Sequence, residues 1–303
     1  MNHPSSARAA AVLGLAALVA AAALAATAPA NAGSLTSPTQ AHTVDITGAD
    51  YAFTIDTHGV VPAGLVQITF TNSGPAAHQA QLFRLNDGVT FTKFLADLHS
   101  DRTVAMSVDS VSAGGVGDLA APGERTIWQA TQGGDYAVVS MVTDANGTPD
   151  FDKGMVAELT VAGHLSSQEL AALHPAGPVA CVITASGLSY SMPPVIVNGA
   201  LYRFQDSDPD SRSVHEFLIG RLLPGVTAAE AKAWFATLTA PGGPSQPQPF
   251  VDSGGYGGVA PGNGGWFRAN LEAGDYVAFD LAPNSVTGAP NATVGMVAGF
   301  TVR

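Results

Sequence analysis

His78-Gln-Ala-Gln-Leu-Phe-Arg84-Leu85 returns later in the chain as His215-Glu-Phe-Leu-Ile-Gly-Arg221-Leu222, with the same interval from His to Arg. Each copy then continues through Gly-Val-Thr, at Gly88 and at Gly225. Working outward, Gly114-Gly115 followed by Pro122-Gly123 recurs as Gly254-Gly255 followed by Pro261-Gly262. Gly134-Asp135-Tyr136 recurs as Gly274-Asp275-Tyr276, and Gly154-Met155 as Gly295-Met296. The offset drifts only from 137 to 141 residues, so the chain carries two copies of one unit with small loop insertions.

The periodicity of both copies is that of short strands. Val66, Ile68 and Phe70 alternate with polar neighbours, and Tyr136 to Val142, Val156 to Val161, Tyr276 to Leu281 and Val297 to Val302 are rich in strand formers. Between strands, Phe91, Phe94, Leu95 and Leu98 recur at helical spacing, as do Ala231, Trp234, Phe235 and Leu238, which predicts one inserted amphipathic helix per copy. Thr227 with Glu230 forms a capping box for the second of these. Ser166 with Glu169 forms another in the bridge from Gly163 to Pro178, predicting a short connecting helix.

The chain has 303 residues, only 12% of them charged against about 25% in an average protein, with 34 Gly and 20 Pro. That composition excludes long helical bundles and favours many turns. His3 and Arg8 precede an Ala/Leu run from Ala9 to Ala26, and Ala30-Asn31-Ala32 supplies a small-residue cleavage pattern. Residues 1–32 are therefore expected to be a secretory signal, with a retained membrane anchor as the alternative. The expected location is secreted or cell-surface. Twelve basic residues oppose 24 acidic ones, a net charge of −12, and removing Arg8 with the leader makes the body more acidic still. Nucleic acid and electrostatic membrane binding are disfavoured on that balance. The single Cys181, within Val179-Ala180-Cys181-Val182-Ile183, permits no internal disulfide and is expected to be a buried strand residue.

Each copy resembles a cupredoxin, the Greek-key β-sandwich of the blue copper proteins. The features that carry this are an early strand ending at Asn72 with His78 soon after, a Pro-Gly turn, a Gly-x-Tyr strand and a terminal Gly-Met before the last strand. The resemblance implies an all-β chain of two tandem Greek-key sandwiches, over 42–162 and 179–303 with a linker at 163–178. It also implies copper-ligand positions. His78 stands at the first, Ser140 where the Cys would be, Asp150 where the second His would be and Met155 at the axial position; the second copy has His215, Asp280, Asn291 and Met296. Type 1 copper needs a thiolate, two imidazoles and a weak thioether, and a serine hydroxyl cannot replace the thiolate. The eight residues are thus expected to be former ligand positions whose polar groups bond to one another, with no cofactor, weak copper or other divalent metal binding being the alternative.

Multicopper oxidase chemistry needs His-x-His pairs, and none occurs. There is no Gly-x-Ser-x-Gly elbow, paired-His zinc helix or Walker loop, and the glycine clusters at Gly115 and Gly255 are expected to form tight turns beside the former sites. Asn146-Gly-Thr148 and Asn291-Ala-Thr293 match the glycosylation triplet. The leading expectation is an exported, non-catalytic scaffold that binds a protein or small-molecule partner. The alternatives are a weak metal binder and an extracellular enzyme using Asp150 or Asp280 with a nearby His.

Overall fold

Val66, Ile68 and Phe70 point into the core at 2% exposure or less, and the polar residues between them face outward, as a half-buried strand requires. In the computed structural model, which describes residues 39–49, 51–241 and 243–303, this alternation is repeated through a nearly all-β body. The expected leader over 1–32 lies outside the described residues.

The first copy contributes β1 (His42–Ala49), β2 (Ala52–Asp56), β3 (Val61–Pro62), β4 (Gly64–Asn72), β5 (His78–Leu85), α1 (Phe91–Ser100), α2 (Arg102–Ser107), β6 (Ser110–Leu119), β7 (Gly123–Thr131), β8 (Gly134–Val139) and β9 (Val156–Ala162). The connector carries α3 (Ser167–Ala172). The second copy contributes β10 (Val179–Ser186), β11 (Ser189–Ser191), β12 (Val195–Ile196), β13 (Leu201–Asp206), β14 (His215–Leu222), α4 (Ala228–Phe235), β15 (Phe250–Val259), β16 (Gly264–Arg268), β17 (Gly274–Phe279) and β18 (Val297–Val302). The first copy therefore inserts two helices where one was expected, because Asp101 ends α1 and at once caps α2 by accepting from Thr103 and Val104 N–H. The capping boxes at Thr227/Glu230 and Ser166/Glu169 both form.

The sheets do not respect the repeat boundary. One has the order β11-β10-β13-β16-β7-β4-β1-β2 and the other β12-β18-β17-β14-β15-β6-β5-β8-β9-β3. Each order is a palindrome of equivalent strands, joined in the middle by antiparallel pairs β16·β7 and β15·β6. Val116 and Tyr256, equivalent positions in the two copies, pair directly with each other. Trp266 pairs with Trp128 and Phe267 with Ile127 about the same pseudo-two-fold axis. Side-by-side packing of separate sandwiches is thus replaced by continuous sheets, which cover the strands that would otherwise be open edges. The core follows: Phe204, Phe217, Tyr256 and Phe267 form a run of ring contacts with centroids 5.5 to 5.8 Å apart, in one buried cluster with Phe70 and Val116 of the first copy.

The glycine clusters lie within strands β6 and β15, not in turns, which corrects the expectation from their composition. Gly115 and Gly255 have φ of 111° and 118°, and a side chain there would drive into the carbonyl oxygens of Ala80 and Phe217. Their role is a strand irregularity that lets β6 approach β5, and β15 approach β14, within each copy. Gln81 completes the seam, donating to Gly258 O at 2.9 Å and accepting from Gly258 N at 2.6 Å. Cys181 is half-buried on β10 rather than buried, because only the short β11 flanks that strand on its outer side. Among the described residues no helix is long and apolar enough to cross a membrane.

Candidate functional site

Strand β5 begins at His78 and β14 at His215, each histidine 1% exposed at the end of a strand paired on both sides. The residues after β8 and β17 fold back in matching fashion. Phe151 N–H donates to Ser140 O and Met155 N–H to Asp150 O, as Ala292 N–H donates to Asp280 O and Met296 N–H to Asn291 O. A single 3-10 turn, Asp150–Lys153 or Asn291–Val294, ends in a left-handed glycine in each copy. These bonds bring the C-terminal candidates under the histidine.

In the first copy His78 Nδ1 lies 2.7 Å from Asp150 Oδ2, and Ser140 Oγ donates to the same oxygen at 2.8 Å. Ser140 Oγ also accepts from Gln79 N–H at 3.2 Å. In the second copy His215 Nδ1 lies 2.7 Å from Asp280 Oδ2, to which Asn291 Nδ2 donates at 3.1 Å. The two clusters have the same composition by role: imidazole, carboxylate and a neutral donor. The carboxylate and the donor, however, have exchanged chain positions. Met155 and Met296 are both fully buried beside these turns, Met155 with its methyl group against Gly48. Six of the eight candidates are therefore joined by hydrogen bonds into two buried clusters, with Met155 and Met296 buried at the ends of the adjoining turns.

The second cluster has a further carboxylate that sequence reasoning missed. Asp208 Oδ2 approaches His215 Nε2 at 3.1 Å, and Ser213 Oγ stands 3.2 Å from the same nitrogen. Both ring nitrogens thus face carboxylate oxygens, which suits the imidazolium, the form with two donors. Burial opposes that charge, but the hydrogen bond and charge of Asp280, the hydrogen bond of Asp208 and the charge of Asp206 raise the His215 pKa to about 9. Asp208 is reached because the loop from Asp206 to His215 is longer than the one from Asn72 to His78. Its Asp-x-Asp-x-Asp spacing was the available signal, each carboxylate accepting from a backbone N–H two residues on.

Neither histidine is open to solvent. Tyr51, held at φ 61°, stands edge-on to His78 with ring centroids 5.6 Å apart, and Lys153 Nζ lies 4.3 Å from the Tyr51 ring centre. Beside the histidines, burial pushes the Glu216 carboxyl well above its usual range, with the charges of Asp280 and Asp118 adding to it. Burial, with the charge of Asp252 adding to it, likewise raises Asp118 to about 7. Asn291 is 2% exposed, so its glycosylation triplet is inaccessible in the folded chain, while Asn146 sits in an exposed turn.

The donor set does not fit type 1 copper. Neither cluster contains a thiolate, and the imidazole nitrogen in each faces a carboxylate oxygen at hydrogen-bond distance. Among the described residues no group of three or more His, Cys, Asp or Glu side chains is arranged to hold a metal ion.

No family model matches the chain, and no curated protein matches it. Solved structures similar to it include a dithionite-reduced auracyanin from Roseiflexus castenholzii, at 21% identity over 41% of this chain and 100% of that one with a TM-score of 0.28. Auracyanin B matches at 15% identity over 42% of this chain and 92% of that one, TM-score 0.26. A multicopper oxidase matches at 15% identity over 86% of this chain and 88% of that one, TM-score 0.23. The two large β-sheets stand on the chain's own strand pairing, and likeness at this level says nothing of copper or catalysis in this chain.

Proposed function

We propose that this chain is an exported, non-catalytic protein whose two fused cupredoxin-like repeats have given up the type 1 copper site and act as a binding scaffold. The observation that carries the reading is the engagement of Nδ1 of both His78 and His215 by a buried carboxylate at 2.7 Å. A hydrogen-bonded imidazole and carboxylate supply internally the link between the β5 or β14 strand and the C-terminal turn that a bound ion would otherwise make. Burial also speaks against the enzyme alternative. Asp150 and His78 do come within proton-transfer reach, as do Asp280 and His215, but all four are 2% exposed or less, which leaves no approach for a substrate. Export rests on the leader pattern at 1–32. The test is metal analysis after equilibrium dialysis against Cu(II) and removal of loosely held ion. Substoichiometric copper is expected, whereas one or two tightly held equivalents lost on His78→Gln or His215→Gln would overturn the reading.

A further inference from the structure

On the outer face of the β7·β16 seam, the connector and the stretch 39–41 stand over the sheet and leave a cleft of about 310 Å³. Leu65 and Leu201, each 2% exposed, belong to its lining with the half-buried indole of Trp128. Gln40, Gln67 and Arg268 supply its polar groups. That volume lies at the lower end of the range for small-molecule sites, which favour junctions between structural units and combine apolar walls with a few polar groups.

Arg268 sets the chemistry. Arg268, like Arg84, Arg102, Arg125, Arg203, Lys232 and Arg303, meets no Asp or Glu carboxylate among the described residues, whereas Lys93, Lys153, Arg212 and Arg221 do; of the unpaired bases, Arg268 is the one that belongs to the lining of this cleft. Its guanidinium carbon lies 5.8 Å from the centre of the Trp128 ring, and Nη1 donates to Gly199 O at 3.2 Å. The group is therefore positioned by one hydrogen bond and an aromatic face, while its remaining N–H donors have no protein acceptor. A positioned, planar set of donors beside an apolar floor is suited to a carboxylate carried on a flat apolar body. The side chains of Gln40 and Gln67 make no hydrogen bond within the described protein and add neutral polar contacts at the rim.

From this arrangement we infer that the cleft binds a small planar molecule bearing a carboxylate, of one- or two-ring size. The carboxylate meets Arg268, and the ring body rests against Leu65, Leu201 and Trp128. The inference goes beyond the scaffold reading and uses none of the residues around His78 or His215, so either can fail without the other.

Ligand-observed NMR and calorimetry with naphthalene-2-carboxylate, and with the uncharged naphthalene-2-carboxamide as comparison, test it on the protein as isolated. The acid should bind about tenfold more tightly than the amide, the difference that hydrogen bonds to a charged group typically make. Arg268→Gln should remove that preference while leaving the amide unchanged, and Arg268→Lys, which keeps the charge but loses the planar donors, should retain only part of it. Trp128→Leu should weaken both probes. Near-UV circular dichroism establishes that each variant is folded. Absence of binding by the acid up to about 10 mM, weaker than any affinity such a site would need, overturns the proposal. So does a preference for the acid that survives Arg268→Gln.

Discussion

Asp150 Oδ2 stands 2.7 Å from His78 Nδ1, and the pair is closed from solvent under Tyr51. His215 makes the same contact at the same distance with Asp280, a residue eleven places before Asn291, the counterpart of Asp150. One interaction is thus made from two different places in the repeat. An imidazole left unpaired in this position would lose its hydrogen bond with no water to replace it.

Removing one partner should therefore be costly. Asp150→Ala leaves His78 Nδ1, Ser140 Oγ and their bonds broken in the interior, and should destabilise the protein by about 3 kcal/mol. Asp150→Asn, which keeps an acceptor for Ser140, should cost less. Urea denaturation of both variants and of a His78→Gln, Asp150→Asn double variant measures the coupling; additive effects would mean that the contact contributes nothing.

Stability should decline as pH rises from mild acid to about 9. Asp118 has a folded pKa of about 7, above its unfolded value, so its contribution is complete below about 4 and is lost as pH rises through 7. His215 has a folded pKa of about 9, so its contribution is complete below about 6.5 and is lost as pH rises through 9. Thermal denaturation from pH 4.5 to 9.5 should show the fall in both parts of the range. Asp118→Asn should flatten the lower part and His215→Gln the upper. A wild-type melting temperature that rises between pH 5 and 9 would be incompatible with these two sites.

The seam should be intolerant of side chains on its glycines. Gly115→Ala combines a left-handed backbone with a clash against the Ala80 carbonyl and should cost at least about 3 kcal/mol. Gly147→Ala, at φ 79° in a turn where nothing lies within 4 Å of the new methyl group, should cost only about 1 kcal/mol. Equal effects in denaturant titration would mean that the close approach of β5 and β6 is not what the glycine serves.

The contrast between these glycines and the alternating strands marks what was legible in the sequence. Val66, Ile68 and Phe70 bury by a period-two rule, and Thr227 and Ser166 cap helices through partners three residues away, so local pattern suffices. The spacing of His78, Asp150 and Met155 carried the site because a repeat supplies its own second copy. Gly114, Gly115 and Gly117 gave no such signal. Their reason for being small lies in residues of the other copy or of a neighbouring strand, such as Tyr256, Ala80 and Leu218. The continuity of the sheets and the approach of Asp208 to His215 Nε2 are likewise long-range consequences, set by pairing and loop length rather than by residue type.

The absorption spectrum of the Cu(II)-loaded protein tests the central claim most directly. On the proposed assignment of Ser140 and Asp280 to the thiolate positions, the wild type should lack the intense blue charge-transfer band, which requires a copper–thiolate bond. Ser140→Cys with Asp150→His frees His78 Nδ1 from its carboxylate and restores a thiolate and a second imidazole beside Met155; this double variant should turn blue with one equivalent of copper. A blue wild type would contradict the account outright, and a folded double variant that stays colourless would contradict the assignment of Ser140 and Asp150 as former ligand positions.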